Sequence, residues 1–309
     1  MRAAVLHEYG GSDVLEISEL PDPEVGPGTV RVRVHAAGVN PYDWKLRAGY
    51  LHDFVPVTFP VVLGLELAGV VDAVGAEVGR LAVGDEVVGY VQSDVSNGAY
   101  AELLVGPAGA FVPKPENVDA LTAAAVPQGG LTAAQALGGE GLAVASGETV
   151  LVHAAAGGVG TMAVQLARRA GARVIGTARD ANADYLRSLG AEPVEYGEGL
   201  VERVRALAPD GVDAVLDLIG GPALDQSVEL LSDRERLLSV VDPRVFELGG
   251  RLQATHPDRE RLEELLGLVS QGELHVETAA VFPLDQVAQA RDMVAEGHVR
   301  GKVVLDLTA

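Results

Sequence analysis

The stretch Glu148-Thr-Val-Leu-Val-His-Ala-Ala-Ala-Gly-Gly-Val-Gly160 decides the fold of this 309-residue chain. Its apolar, β-branched beginning predicts a strand, and the glycines near its end predict a tight turn. A helical pattern follows over 159–170, and a second apolar strand is expected over 173–177. Strand, glycine turn, helix and strand together form the first unit of a dinucleotide-binding fold.

The glycine turn carries the spacing A-x-G-x-x-G on Ala155, Gly157 and Gly160. In such a turn Gly157 lets the backbone approach a pyrophosphate, and Gly160 lets the helix pack close to its strand. The helix N-terminus offers free N–H groups and the positive end of its dipole to phosphates. Tight βα turns need glycine for other reasons as well, so the flanking strand and helix decide the assignment. We therefore predict that a dinucleotide cofactor is bound by Ala155, Gly157, Gly158, Val159 and Gly160.

Composition excludes several classes of function. The chain has no cysteine, which rules out disulfides, thiolate nucleophiles and cysteine-ligated zinc. A net charge of −21 leaves no basic surplus to neutralise phosphates, which argues against nucleic-acid binding. No apolar run approaches the roughly 20 residues of a membrane span, and the beginning of the chain lacks the long apolar segment of a secretory signal. We expect a cytoplasmic protein without membrane contact.

The chain is long enough for two domains, and its pattern changes near Pro113-Lys-Pro115. Before that point short apolar segments alternate with glycine and proline turns, which predicts a small barrel or sandwich of strands. From residue 147 onward strands and helices alternate, which predicts an α/β fold with a doubly wound parallel sheet. Strands are expected at 149–154, 173–177, 193–196, 214–218, 236–241 and 251–254, and helices at 120–126, 131–137, 159–170, 184–189, 200–207, 223–231 and 259–270.

The last part of the chain returns to the style of the first, with a strand, a helix and a final strand. We predict that this tail, 271–309, completes a first domain formed by 1–116, and that the parallel sheet occupies 117–270. A cleft between two such domains is a favoured ligand site. The polar stretch 92–97 is expected to be a loop that could cover the cleft.

Four stretches, in order along the chain, resemble the medium-chain dehydrogenase/reductase superfamily in its zinc-independent quinone oxidoreductase branch, the zeta-crystallin-like group. They are Ala36-Ala-Gly-Val-Asn-Pro-Tyr-Asp-Trp-Lys-Leu-Arg-Ala-Gly49, Pro60-Val-Val-Leu-Gly-Leu-Glu-Leu-Ala-Gly-Val-Val-Asp-Ala-Val-Gly75, His153-Ala-Ala-Ala-Gly-Gly-Val-Gly-Thr-Met-Ala-Val-Gln-Leu-Ala167 and Gly297-His-Val-Arg-Gly-Lys-Val-Val-Leu305. The resemblance covers the whole chain. It implies a GroES-like β-rich catalytic domain, a Rossmann domain that binds NADPH, and a homodimer.

The resemblance also indicates where zinc-dependent relatives hold their catalytic metal. Those relatives have Cys at position 40 and His at position 65, whereas this chain has Asn40 and Leu65 and keeps only Glu66 of the motif. Asparagine and leucine cannot supply the thiolate and imidazole that a catalytic zinc requires, so no metal site is predicted. Without a Lewis acid alcohol oxidation loses its mechanism, while hydride delivery to an electron-poor acceptor remains feasible. Glu66 is expected to be a structural ion-pair partner.

The end of the second strand in the dinucleotide motif decides between NAD and NADP. NAD-preferring sites usually have an acid there, about 20 residues past the glycine turn, but this chain has Ala178 and Arg179. Arg179 could pair with a 2′-phosphate, and relatives use a tyrosine at the end of the third strand, here Tyr196. The alternatives are a solvated arginine and a packing tyrosine. Asp180 is counter-evidence unless it begins the next helix. We predict NADPH.

Three residues are predicted to be catalytic: Asn40, Tyr42 and Lys45. The resemblance places Asn40 beside the nicotinamide ribose, which makes it a cofactor residue as well, and Tyr42 at the mouth of the site. Lys45 could polarise a carbonyl oxygen or donate a proton, since other enone-reducing relatives have lysine there. The alternatives are an Asx-turn asparagine and a solvated helix lysine. Asp43 is expected to cap the helix that begins here.

Four further residues are predicted to bind the cofactor: Thr132, Val240, Arg300 and Lys302. Val240 ends a strand at the carboxyl edge of the sheet, where ligands bind in open α/β folds. The other three lie in segments that approach the cofactor in relatives, although Thr132 could cap a helix and both cations could be solvated. His153, on the first strand of the motif, is expected to be a packed or hydrogen-bonded core residue.

The expected activity is zinc-independent transfer of a hydride from NADPH to a small molecule, either a quinone or an α,β-unsaturated carbonyl compound. Hydrogen-bond donors in the cleft would stabilise the acceptor oxygen, and Tyr42, Lys45 or water would supply the proton. Two alternatives stay open: a pathway-specific enoyl reductase, and a protein that binds NADPH without turnover. The sequence does not identify the physiological acceptor.

Overall fold

The computed structural model describes residues 1–91 and 98–309, so the predicted loop at 92–97 lies outside the described residues. The strands are β1 (Arg2–Leu6), β2 (Leu15–Glu19), β3 (Thr29–Val39), β4 (Val61–Val62), β5 (Glu66–Val74), β6 (Glu86–Tyr90), β7 (Leu103–Pro107), β8 (Phe111–Pro113), β9 (Thr149–Val152), β10 (Arg173–Ala178), β11 (Glu192–Glu195), β12 (Ala214–Asp217), β13 (Leu237–Ser239), β14 (Arg251–Leu252), β15 (Thr278–Pro283) and β16 (Lys302–Asp306). The helices are α1 (Pro41–Arg47), α2 (Ala120–Ala124), α3 (Pro127–Leu137), α4 (Gly160–Arg169), α5 (Ala183–Ser188), α6 (Leu200–Leu207), α7 (Pro222–Ser227), α8 (Arg259–Ser270) and α9 (Val287–Glu296). Among the described residues, no helix combines the length and the apolar character needed to cross a membrane.

Internal contacts divide the chain into two compact units. The first unit comprises Met1–Gln128 and Pro257–Ala309, and the second comprises Gly129–His256. The sequence prediction placed 117–128 and 257–270 with the parallel sheet, whereas the contacts place both segments in the first unit. They belong there because α2 contacts β3 and β5, and α8 contacts β8.

The first unit is built mainly on antiparallel strands. Its larger sheet has the order β15-β16-β3-β5-β6-β8, with β7 also paired to β3, and a small sheet has the order β2-β1-β4. The tail strand β16 lies antiparallel to β3, with Val303 opposite Val39, so the end of the chain is part of this sheet. Side chains alternate along β3, which buries Val32 and Val34 in the core and leaves Arg33 exposed.

The second unit contains a six-stranded parallel sheet with the order β11-β10-β9-β12-β13-β14. Counted within the unit, this is the order 3-2-1-4-5-6 of a dinucleotide-binding fold, and it confirms the predicted α/β class with a doubly wound sheet. Leu151, Ile175, Val215 and Leu237 lie in one row across four neighbouring strands and are buried in a single apolar cluster. The glycine turn follows β9, at the centre of this sheet.

Several predicted elements of this part of the chain differ from the structure at their ends. The helix predicted at 131–137 begins earlier, because α3 spans Pro127–Leu137. The strand predicted at 236–241 is shorter, because the Ser239 hydroxyl accepts hydrogen bonds from the N–H groups of Val241 and Asp242 and turns the chain after β13. The helix predicted at 223–231 ends at Ser227 and continues as the short 3-10 helix Val228–Leu230.

Candidate active site

The glycine turn leads from β9 into α4. Ala154 adopts a left-handed conformation, with φ of +47°, and its carbonyl accepts a hydrogen bond from the Gly157 N–H at 2.9 Å. A Cβ at position 160 would lie 2.3 Å from the Ala154 carbonyl oxygen and 2.7 Å from the Ala155 Cα. No real side chain tolerates such contacts, so the close approach of α4 to this turn requires glycine at position 160.

Gly157 is under a different constraint. A Cβ there would meet the Ala154 carbonyl oxygen at 3.3 Å, a tight but tolerable contact, and no other described atom would lie within 4 Å of it. The fold alone does not demand glycine at this position, whereas a pyrophosphate lying against the turn would. The helix α4 follows Val159, and the first N–H groups of a helix have no acceptor within it. The turn therefore has the geometry to hold an anionic group.

Arg179 and Tyr196 lie together at the ends of β10 and β11. Arg179 Nε donates a hydrogen bond to the Tyr196 hydroxyl at 3.2 Å, and both side chains are exposed. Ala178, the last residue of β10, is buried and offers no charge. Asp180 opens the short 3-10 helix Asp180–Asn182, just before α5. This corner of the second unit thus presents a guanidinium and a phenol next to a position without an acid.

His153 is a buried core residue, as predicted. Its Nε2 lies 2.8 Å from the Ser227 hydroxyl, which itself donates to the Ala223 carbonyl, so the proton of the ring is on Nε2. Its Nδ1 then accepts from the Thr177 hydroxyl at 3.2 Å, and that hydroxyl accepts from the Ala154 N–H at 3.1 Å. Burial lowers the pKa of His153 to about 4, and the neutral ring holds the entry to the glycine turn in place.

This shift predicts a loss of stability in mild acid. The pKa of His153 is about 4 in the folded protein and 6.5 ordinarily, so the unfolded chain binds more protons between these values. Titration of His153 does not reduce the free energy of unfolding above pH 6.5, and it lowers this free energy by about 3 kcal/mol as the pH drops to 4. Denaturant unfolding followed by circular dichroism from pH 7 to 4.5 should show this slope. The variant His153→Gln should show a shallower one, and an equal slope would contradict the assignment.

Asp217 and Ser239 shape the carboxyl edge of the sheet, and sequence reasoning missed both. One Asp217 oxygen accepts from the Gly220 N–H at 2.9 Å, and the other accepts from the Ser239 hydroxyl at 2.6 Å. Val240, predicted to bind the cofactor, is half-buried and donates its N–H to the Asp217 carbonyl at 3.2 Å. A signal was present in the sequence, because an acid at a strand end is followed by the pair Gly220-Gly221.

Thr132 lies within α3, five residues before its last residue Leu137, so the alternative of a helix-capping threonine is wrong. Its hydroxyl is 2.6 Å from that of Thr255, and it is buried. The Gln135 side chain donates to the His256 carbonyl at 2.8 Å and accepts from the His256 N–H at 3.1 Å. These bonds tie the segment after β14 to α3. The helix also approaches the glycine turn, since a Cβ on Gly129 would lie 2.8 Å from the Gly158 carbonyl oxygen.

The first unit brings Asn40, Glu66 and Lys302 together in a buried cluster. Lys302 Nζ lies 2.6 Å from Glu66 Oε1 and also donates to Asn40 Oδ1. Asn40 Nδ2 donates to the same Glu66 oxygen at 2.8 Å, and all three side chains are buried. The predicted ion-pair role of Glu66 is confirmed. The alternative of a solvated Lys302 is wrong, because its ammonium binds Asn40 and Glu66. Asn40 is the residue that begins the turn into α1, as in the alternative for it, and its amide also binds Lys302 and Glu66.

The surroundings of the cluster are adapted to it. A Cβ on Gly38 would lie 2.1 Å from Glu66 Oε1, so glycine at this position makes room for the carboxylate. The other Glu66 oxygen accepts from the Gln128 N–H at 2.6 Å. Leu65 is buried and apolar. Within the described ranges, no group of three or more His, Cys, Asp or Glu side chains is placed to hold a metal ion.

A second buried layer supports the start of α1. The Asp43 carboxylate accepts from the Asn40 N–H at 2.8 Å and from the Tyr100 hydroxyl at 2.7 Å. Asp43 is the third residue of the helix rather than the residue before it, and its carboxylate caps the start of the helix by accepting from the N–H of Asn40, the N-cap residue. Arg291 of α9, which is fully buried, donates to the Asp43 carbonyl. Burial raises the pKa of Asp43.

Tyr42 and Lys45 lie on α1, directly after Asn40, and both are half-buried. Burial raises the pKa of Tyr42, which keeps its phenol protonated at neutral pH. Burial lowers the pKa of Lys45, so its ammonium releases a proton more readily than that of a solvated lysine. The Lys45 Nζ also lies 5.9 Å from the centre of the Trp44 ring. Lys45 is therefore not the fully solvated lysine of the alternative.

Arg300 differs from its neighbour Lys302. Its side chain is exposed, and its Nε donates to Glu277 Oε1 at 2.8 Å in a surface ion pair. The structure thus places the two tail cations in different environments, one in the buried cluster and one at the surface. Arg300 precedes β16, and Gly301 between the two residues has a left-handed backbone, with φ of +79°, so the regular geometry of the strand does not extend to Arg300.

The chain is similar to several oxidoreductases. Residues 26–116 match the alcohol dehydrogenase GroES-like domain, which confirms the GroES-like prediction, and residues 189–305 match a family described as zinc-binding dehydrogenase. A quinone oxidoreductase of Pseudomonas aeruginosa is 35% identical over 96% of this chain and 97% of its own length. A 2-haloacrylate reductase of a Burkholderia species is 36% identical over 98% of each protein. The structure of Escherichia coli quinone oxidoreductase complexed with NADPH is 27% identical, with a TM-score of 0.88 over 99% of this chain and 100% of that chain.

Proposed function

The chain belongs to the zinc-independent quinone oxidoreductase family of the medium-chain dehydrogenase/reductases, and we propose that it transfers a hydride from NADPH to a quinone or an α,β-unsaturated carbonyl compound. One observation carries the proposal. At the positions where zinc-dependent relatives bind metal, Leu65 is apolar and the amide of Asn40 is engaged by Glu66 and Lys302. These groups are not a zinc ligand set, and an electron-poor acceptor needs no Lewis acid.

The second unit supports NADPH as the cofactor. The glycine turn fits a pyrophosphate, and the pair Arg179 and Tyr196 fits a 2′-phosphate, with Ala178 where an NAD site would have an acid. The E. coli relative was solved with NADPH bound. When bound here, the cofactor would supply the hydride. Thr132 and Val240 are proposed to line the nicotinamide end, although the Thr132 hydroxyl already contacts Thr255.

The first unit supplies the groups that orient and protonate the acceptor in this proposal. Asn40 is held by hydrogen bonds at both ends of its amide, so it can position a ligand without moving. Tyr42 Oη and Lys45 Nζ are the candidate proton donors, and either could stabilise negative charge that develops on the acceptor oxygen. Lys302 is proposed to act through Asn40, and Arg300 to lie near the cofactor at the surface.

NADPH oxidation with a panel of quinones, alkenals and simple alcohols tests this function. We expect turnover of quinones or alkenals that EDTA does not reduce. Activity confined to alcohols, or activity that needs added zinc, would overturn the proposal. Binding of NADPH without turnover of any acceptor would support the non-catalytic alternative. Turnover of a synthetic enoyl thioester alone would support the pathway-specific enoyl reductase.

The cofactor preference gives a separate prediction. We expect kcat/KM for NADPH to exceed that for NADH by at least about tenfold, because hydrogen bonds to a charged group contribute roughly 1.5–3 kcal/mol. The variant Arg179→Ala should lose most of this ratio. Arg187→Ala is the matched control. Arg187 is also exposed, and its guanidinium forms an ion pair with the Asp184 carboxylate on its own helix, with 2.7 Å between Nη1 and Oδ1. Comparable kcat/KM values for both cofactors in the wild type would contradict the choice of NADPH.

We also propose that the protein is a homodimer. The strand β14 is the edge of the parallel sheet, and Leu252 on this strand and Phe246 before it are exposed. An edge strand with exposed apolar groups can pair with its copy about a two-fold axis. Light scattering should give twice the chain mass of 32.0 kDa. Leu252→Lys should lower this mass, whereas Val83→Lys, at an exposed position in the first unit, should not; a wild-type monomer would refute the dimer.

A further inference from the structure

The loop that carries Tyr196 is held by side chains from two helices. Arg203 of α6 donates from Nε to the Glu195 carbonyl at 2.9 Å and from Nη2 to the Tyr196 carbonyl at 3.4 Å. Gln226 of α7 donates to the Gly197 carbonyl at 3.2 Å. Three successive carbonyl groups at the end of β11 therefore each accept a hydrogen bond from a side chain.

The loop also has a backbone bond, from the Leu200 N–H to the Gly197 carbonyl at 3.2 Å, and the side-chain bonds restrain the residues before it. The loop is exposed, and both Gly197 and Gly199 have left-handed backbone conformations, with φ of +97° and +76°. Glycine in such positions loses more conformational freedom on ordering than any other residue. An unrestrained loop would hold the Tyr196 ring near Arg179 only part of the time, so the side-chain bonds favour one position of the ring.

The geometry at the Tyr196 hydroxyl leaves donors for an anion. The phenol oxygen accepts from Arg179 Nε, so the phenol hydrogen is free to point elsewhere. In the described part of the chain, no acceptor contacts the Arg179 Nη atoms. The phenol O–H and the guanidinium Nη groups are thus neighbouring donors, and a phosphomonoester with its several acceptor oxygens matches that donor set.

We propose that Arg203 is a positioning residue for selection of the 2′-phosphate: it fixes the backbone of the loop so that Tyr196 and Arg179 form one phosphate site. The inference rests on the proposed use of NADPH. Arg203 does not itself contact the phosphate, because its Nε and Nη2 are directed at the two carbonyl oxygens. Its effect passes through the position of Tyr196.

Calorimetric titration with adenosine 2′,5′-bisphosphate and with adenosine 5′-monophosphate tests this role. The two probes differ only in the 2′-phosphate, so the ratio of their Kd values measures selection for that group without any turnover. We expect Arg203→Ala to reduce the ratio by about fivefold to tenfold, while the Kd for the monophosphate is unchanged. Arg203→Lys should reduce the ratio similarly, because an ammonium keeps the charge but cannot span two carbonyl groups.

Arg205→Ala is the matched control. Arg205 lies on the same helix, is exposed and donates to the Glu229 carbonyl at 2.9 Å, so its loss removes one positive charge without touching the loop. We expect it to leave the ratio unchanged. Tyr196→Phe should reduce the ratio, and adding Arg203→Ala to it should cause no further loss, because both act through the same phenol.

The outcomes separate the inference from the proposed cofactor. A wild-type protein that does not discriminate between the probes overturns both. A wild-type preference that survives Arg203→Ala, or that falls equally in Arg205→Ala, overturns only the role of Arg203. If Arg203→Lys kept the full ratio of Kd values, the positive charge at position 203 rather than the placement of the loop would be responsible for selection. That result would also overturn the positioning role of Arg203.

Discussion

Replacing Lys302 with methionine is expected to destabilise the first unit by about 3–5 kcal/mol. The ammonium lies 2.6 Å from Glu66 Oε1, and the carboxylate is fully buried. Methionine fills a similar volume but leaves this carboxylate without a countercharge. Among the described residues, only the Asn40 amide and the Gln128 backbone N–H would still donate to it. An uncompensated charge inside a protein costs far more than the original pair contributes.

The single tryptophan allows the loss of stability to be measured in the first unit. Trp44 lies on α1 beside the buried cluster, and the second unit contains no tryptophan, so fluorescence reports unfolding of the first unit. Arg300→Met is the matched control, since it removes a tail cation only two positions away. Its surface pair with Glu277 should be worth less than about 1 kcal/mol. A Lys302→Met variant no less stable than Arg300→Met would contradict the expectation.

A double variant separates charge from shape. In Lys302→Met with Glu66→Gln, no charge remains in the cluster. The new amide can accept from the Gln128 N–H, and it can donate to Asn40 Oδ1 once the Asn40 amide, which presents Nδ2 to position 66, has flipped. Stability should recover most of the loss, because a neutral replacement of a buried ion pair is often tolerated. Turnover should stay low, since the Asn40 amide is no longer fixed by an ammonium. Full recovery of kcat together with stability would show that Lys302 has a structural role only.

Parts of the candidate site differ in how far the sequence alone could predict them. The glycine turn was predictable because its strand, glycines and helix lie within a few residues, and each follows a local rule of spacing. The pairing of Arg179 with Tyr196 spans 17 residues, and it follows from the fold class because the ends of neighbouring parallel strands meet at one edge. Once the parallel sheet is recognised, such residues can be placed.

The buried cluster was not predictable in the same way. Lys302 is separated by 236 residues from Glu66 and by 262 from Asn40, and no local pattern connects them. Lys302 and Asn40 were assigned to the cofactor, yet nothing in the sequence indicated that they bind each other. Arg291 and Asp43 are separated by 248 residues, and no sequence pattern predicts their contact. A lone arginine on a helix is ordinarily expected at the surface.

Substituting alanine for Gly160 is the second change with a large expected effect. The new Cβ would lie 2.3 Å from the Ala154 carbonyl oxygen. This oxygen is a backbone atom, and the Cβ is fixed directly to the backbone, in the segment that joins β9 to α4. Neither can rotate away as a flexible side chain would, so the helix or the turn must shift. We expect a loss of about 3 kcal/mol in the stability of the second unit, at the upper end of overpacking, and loss of measurable NADPH binding.

Gly157→Ala is the matched variant at the same turn, and it should behave differently. The 3.3 Å contact of its Cβ needs only a small adjustment. The free energy of unfolding, measured by thermal unfolding followed by circular dichroism, should therefore change by less than about 0.5 kcal/mol. The methyl group would occupy the surface against which the pyrophosphate is proposed to lie, so the Kd for NADPH should rise by at least about tenfold. Unchanged NADPH affinity in this variant would mean that the phosphates lie elsewhere. Because Gly160 is required by the fold and Gly157 is proposed to be required by the ligand, only the second substitution tests the cofactor site without disturbing the sheet beneath it.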